Sequence, residues 1–224
     1  MKQLVGILLF FGALAQAQTT FDLSAHSARN NPDQVWQLGY SANNSLAPDQ
    51  FRFDKQSEMV APLVFWHPDA NHGPGPGYYP YVAFNPTKLT QLGSSNQWAV
   101  RAGEVAMEAS NSVQYSLVRF VAPVTGAYKV SARFAGVHFR LSTTDVHVLY
   151  NGKSLFDADI EGYGGDPAFH KVEGSSPTAE YSGRVEMKAN DTITFAVGYG
   201  KNKTNYCDTT GLFARVVLVG GKSK

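Results

Sequence analysis

DVHVLYNGKSLF, residues 145–156, decides the fold class. Val146 and Val148 alternate with Asp145 and His147, and a second short run, Lys153 to Phe156, resumes after Asn151-Gly152. Alternation of this kind sends successive side chains to opposite faces of an extended strand. Asn-Gly is the pair that most readily supplies the two positive-φ positions of a type I′ hairpin turn. The spacing therefore predicts an antiparallel hairpin over Asp145 to Asp159, with His147 pointing away from the face of Val146 and Val148.

The same signal spreads outward. PVTG, residues 123–126, reads as a second turn, joining a strand over 113–120 to another over 127–136. In the latter, Tyr128, Val130, Ala132 and Phe134 share one face, while Lys129, Ser131 and Arg133 share the other. Ile193, Phe195 and Val197 alternate with Thr192, Thr194 and Ala196, and strands are also expected over 184–188, 191–199 and 212–219. Upstream, residues 18–97 are less regular and rich in Asn, Pro and Gly. Short strands are expected there at Trp36 to Tyr40, Phe51 to Phe53, Leu63 to Trp66 and Tyr81 to Phe84. Many short strands with frequent turns, and no helical periodicity past the first residues, predict an all-β fold: a single antiparallel β-sandwich. No linker divides residues 18–224, so they read as one domain.

The first residues have a different character. Lys2 precedes the apolar run Leu4 to Leu14, which ends at Ala15-Gln16-Ala17, a small-x-small cleavage site. The run is shorter than the ~20 apolar residues that span a bilayer, so residues 1–17 are expected to be a removed signal peptide. Of the 19 basic residues only Lys2 goes with it, and none of the 18 acids. The remainder carries no net charge, which argues against nucleic acid and against a polybasic membrane anchor. Secretion or periplasmic residence is the expected location. Cys207 is the one cysteine, so no intramolecular disulfide can form. It reads as a small apolar residue.

A family resemblance is carried by several of these stretches: Trp36-x-x-Gly39-Tyr40, the run 116–128, the run 143–156, residues 190–200 and 208–212. Together they resemble the extracellular β-sandwich domain of bacterial PEP-CTERM-type secreted proteins, from about Trp36 to Val219. The resemblance implies an exported surface or matrix component whose sandwich is jelly-roll-like and similar to carbohydrate-binding modules. The sequence ends in GGKSK, residues 220–224, without the Pro-Glu-Pro motif, apolar helix and basic cluster of that group. Sorting to the membrane by that route is therefore not expected.

Candidate chemistry gathers in three places. Trp66 is followed by a Pro- and Gly-rich segment bearing Tyr78, Tyr79 and Tyr81. Aromatic faces with polar tips suit the flat C–H faces of sugar rings, although the same residues could seal an end of the sandwich. His67, Asp69 and His72 are types that hold zinc, but their spacing matches no zinc motif. Asp157-x-Asp159-x-Glu161 opens like an EF-hand loop, yet Ala168 stands where its bidentate glutamate is needed. These three acids could still share calcium with Asp166. No Gly-x-Ser-x-Gly nucleophile elbow is present, and Asp208-Thr-Thr-Gly211 reads as a turn held by the Asp208 carboxylate. The expected function is a non-catalytic, glycan-binding or matrix-associated module, with polysaccharide as partner. A structural matrix component without a small ligand and a polysaccharide-active enzyme are the alternatives.

Overall fold

A computed structural model of the chain describes residues 18–25, 30–33, 35–60, 62–68, 80–93, 96–112 and 114–221. The expected signal segment, 1–17, lies outside them. The strands are β1 (Thr19–Asp22), β2 (Trp36–Ser41), β3 (Phe51–Phe53), β4 (Gln56–Val60), β5 (Leu63–His67), β6 (Tyr81–Phe84), β7 (Gln91–Leu92), β8 (Ala99–Val100) and β9 (Val105–Glu108). They continue with β10 (Ser116–Val121), β11 (Gly126–Gly136), β12 (Ser142–Tyr150), β13 (Lys153–Tyr163), β14 (Glu173–Ser176), β15 (Thr178–Met187), β16 (Thr192–Val197) and β17 (Thr210–Gly221).

The chain folds as an antiparallel β-sandwich. One sheet runs β15-β11-β17-β9-β6-β5-β4, with β1 added against β17; the other runs β14-β13-β12-β16-β10-β2-β3. The predicted hairpin is the β12–β13 pair. Asn151 and Gly152 take φ of 47° and 79°, as a type I′ turn requires. The register slips between Val148 and Leu149, where Phe156 and Ser154 face consecutive partners and Leu155 is the extra residue of a bulge. The PVTG turn likewise joins β10 to β11.

Alternation builds the core between the sheets. Tyr128, Val130, Ala132 and Phe134 of β11 and Leu212, Ala214 and Val216 of β17 meet Val146 and Val148 of β12 and Ile193, Phe195 and Val197 of β16. Each fully buried large apolar side chain contributes roughly 1.5–3 kcal/mol. Two smaller clusters cover outer faces. The β7–β8 ribbon brings Trp98 and Val100 over Phe65, Tyr81 and Ala106 on the outside of the larger sheet. On the outside of the other sheet, Leu46 and Phe51 pack over Leu117, Leu149 and Ala196. The outer face of β15, β11, β17 and β1 keeps polar residues instead. None of the helices among the described residues is long and apolar enough to cross a membrane.

Candidate functional site

The uncovered face is grooved, and the strand register explains why. Arg133 of β11 stands opposite Glu180 of β15 and Phe213 of β17. Two residues along, Ser131 stands opposite Ser182 on one side and Arg215 on the other, and Arg215 opposite Asp22 of β1. One row further, Lys129 faces Arg184 and Val217. Residues two apart on a strand share a face, so these rows lie side by side. The short Ser182 and Ser131 side chains, beside the longer Arg133, Glu180 and Phe213, leave a trough across the strands. It encloses about 470 Å³ and is lined by Asp22, Ser131, Arg133, Glu180, Ser182, Phe213 and Arg215, among others. From β15 to β1 the trough crosses three strand spacings, about 14 Å at ~4.8 Å each.

Its polar groups are held unequally. Arg133 lies 3.6 Å from the Glu180 carboxylate and donates to the Gly164 carbonyl at 3.1 Å. Asp22 Oδ1 accepts from the Ser24 amide at 2.9 Å and hydroxyl at 2.6 Å. Phe213, half-buried, supplies the aromatic wall. The alternation of Lys129, Ser131 and Arg133 already marked this as the solvent face. Phe213, Arg215 and Ser182 carry no motif, and only the pairing of three strands brings them together.

The aromatic platform expected upstream is corrected at two of its four residues. Trp66 and Tyr81 are 6% and 2% exposed and lie on opposite faces of the larger sheet. Trp66 packs between the sheets, while Tyr81 packs beneath the β7–β8 ribbon against Phe65 and Trp98. The alternation of Phe65 and Trp66 along β5 decides which side each takes, and a second layer buries the side that a lone sheet would expose. Tyr78 and Tyr79 lie outside the described residues, as do Asp69 and His72. His67 is buried, with Nδ1 2.5 Å from the Pro68 carbonyl.

The calcium candidates are also dispersed. Asp157 accepts from Ser154 at 2.6 Å and bonds His147, Asp159 pairs with Lys201 at 2.5 Å, Glu161 accepts from Ser175 at 2.6 Å, and Asp166 accepts from Thr90 at 2.5 Å. Four carboxylates with four separate partners do not make a shared cage. Among the described residues no three His, Cys, Asp or Glu side chains are grouped to hold a metal.

Two polar clusters lie elsewhere. His147 projects from the sheet's outer face as predicted, Nε2 2.7 Å from Asp145 and Nδ1 2.5 Å from Asp157. Carboxylates at both ring nitrogens call for two N–H donors, hence an imidazolium. Burial pulls the His147 pKa down, but hydrogen bonds to Asp145 and Asp157 outweigh it and the net direction is upward. Asp145 also accepts from the Gly200 amide at 2.7 Å, so the cluster ties β12, β13 and the segment after β16 together. The second cluster is internal. Glu108 accepts from Tyr81 at 2.9 Å and Thr209 at 2.6 Å, and burial pushes its pKa up to about 7. Asp208 bonds the Thr143 amide and hydroxyl, at 2.7 and 2.9 Å, across to β12 rather than closing its own turn.

No protein-family model matches the chain, and no curated protein matches it in sequence. Solved structures similar to it include carbohydrate-binding modules. The CBM51 domain from Clostridium perfringens GH95, solved in complex with methyl-galactose, is 10% identical with a TM-score of 0.36, covering 88% of this chain and 99% of that one. A family 35 carbohydrate-binding module from Clostridium thermocellum is 11% identical, TM-score 0.33, covering 61% and 90%. The CBM36-1 domain of a multidomain xylanase from the hindgut metagenome of Trinervitermes trinervoides is 16% identical, TM-score 0.32, covering 61% and 90%.

Proposed function

We propose that the protein is an exported, one-domain, non-catalytic module that binds glycan in the trough across β15, β11, β17 and β1. The observation that carries this reading is the trough itself. It is an open slot with an aromatic wall at Phe213, two serine hydroxyls on its floor, and charged groups at its rims. Sugars need these three things together: an apolar surface for the ring face, hydroxyl partners, and acceptors or donors at the edge. Export rests on residues 1–17, and the mature chain is taken to begin at Gln18.

Affinity follows from the size of the contact. Burying roughly 50 Å² of sugar face on one ring contributes about 1.2 kcal/mol. With a few hydrogen bonds, dissociation constants should fall between about tens of micromolar and millimolar. The test is retention of residues 18–224 on a panel of neutral and acidic polysaccharides, by affinity electrophoresis. Phe213→Ala should weaken binding several-fold, and Ser131→Leu, which fills the slot, should abolish it, with melting temperatures near wild type. Binding that neither change moves would locate the site elsewhere. Binding to no polysaccharide would remove the reading.

A further inference from the structure

We propose that the trough selects an anionic polysaccharide, a sugar carboxylate lying on the Arg215 guanidinium; this rests on the reading of the trough as a glycan site. Arg133, Arg215, Glu180 and Asp22 are the charged side chains of its lining. Arg133 is occupied by Glu180 and the Gly164 carbonyl. Asp22 faces Arg215 in register, but its Oδ1 is turned to Ser24. The Arg215 side chain is exposed, and no hydrogen bond or ion pair engages its guanidinium among the described residues.

The next row adds cations rather than acids. Lys129 stands opposite Arg184, and Arg184 is held by Glu186 at 3.2 Å, which leaves Lys129 exposed beside the slot. The chain without residues 1–17 is balanced in charge, so two cations without an ion-pair partner among the described residues on one face, Arg215 and Lys129, are a local arrangement and not a general excess. Neutral sugars offer hydroxyls, which Ser131, Ser182, Asp22 and Glu180 are suited to receive. A free guanidinium fork matches something else. Its five donors fit a planar carboxylate two at a time, a geometry that hydroxyls do not reproduce and lysine does not offer.

The experiment measures binding of residues 18–224 to polygalacturonate, alginate and hyaluronan, to their carboxyl-esterified forms, to neutral galactan, and to dextran sulfate, at low and raised salt. The expected result is binding to at least one uronic-acid polymer, weakened about tenfold by esterification and also by salt. Arg215→Gln should erase the difference between free and esterified polymer, and Arg215→Lys should restore part of it, with melting unchanged. Equal binding of esterified or neutral polymers, unmoved by Arg215→Gln, overturns the anionic selectivity and leaves the glycan reading standing. Dextran sulfate binding as tightly as the uronic polymers, also unmoved by Arg215→Gln, overturns it in favour of diffuse charge attraction. Binding to no polysaccharide overturns both.

Discussion

Asp54, Glu104, Glu108 and Asp208 are all buried. Burial raises the pKa of each, Glu108 to about 7 and Asp208 to about 6. The sign of the consequence is fixed. A carboxyl whose folded pKa lies above its unfolded value holds its proton longer in the folded state, so stability falls as pH rises between the two. For Glu108 that window runs from 4.5 to about 7. His147, also raised, adds stability below its unfolded pKa that is lost as pH climbs through its folded one. His138 works the other way: burial, then the Arg140 charge, lowers it to about 4, so its share of stability grows from there up to 6.5. Above that range nothing from His138 offsets the acids. The melting temperature is expected to decline from about pH 6.5 to about pH 8. Glu108→Gln keeps an acceptor for Tyr81 and Thr209 and should flatten the decline, melting above wild type at the alkaline end. At roughly 1.4 kcal/mol per pKa unit, the Glu108 contribution is on the order of 3 kcal/mol at most. A variant that tracks wild type at every pH would exclude this account. None of these burials is legible in composition, because an acid's depth depends on which strands pass over it.

At the scale of elements, local chemistry made much of the fold readable. Alternation located β11, β12 and β16, and Asn151-Gly152 located the hairpin tip. The tip also does something that the dipeptide does not announce: a Cβ on Gly152 would lie 2.4 Å from Pro48 Cδ, so the segment before β3 sits against the turn. Gly152→Ala meets both that contact and a φ of 79°. It should cost more than about 1 kcal/mol, seen as a melting temperature lower by several degrees for a chain of this size. An unchanged melting temperature would mean that turn and segment part freely. β14 escapes a reading by alternation for a physical reason. EGSS at 173–176 has no apolar alternation, and pairing with β13 makes it a strand. The trough was half legible: Lys129, Ser131 and Arg133 read as the solvent face, but the partners that turn it into a slot come from strands distant in sequence. Trp66 and Tyr81 misled because aromatic content is visible in a sequence and the layer covering it is not.

The molecule as a whole holds together by packing. Cys207 has no second cysteine to pair with, so a reducing agent should leave the monomer's melting temperature unchanged. Asp157, Asp159, Glu161 and Asp166 are each engaged by a different partner, so neither calcium nor a chelator should shift it. A rise of several degrees with calcium would mean that these acids regroup around the ion. Sheet order was beyond reach of the sequence, since alternation tells which face a residue takes and not which strand lies beside it. The strand β17 shows what that order entails. Its first residues pair with β9, its later ones with β1, and its other edge with β11 throughout. The trough thus takes Asp22 from near one end of the chain and Phe213 and Arg215 from near the other. A ribosome releases these halves far apart in time, and contacts so distant along the chain form slowly. The trough is therefore among the last features to form, and a chain still being synthesised has no such slot until β17 arrives to lie between β11 and β1.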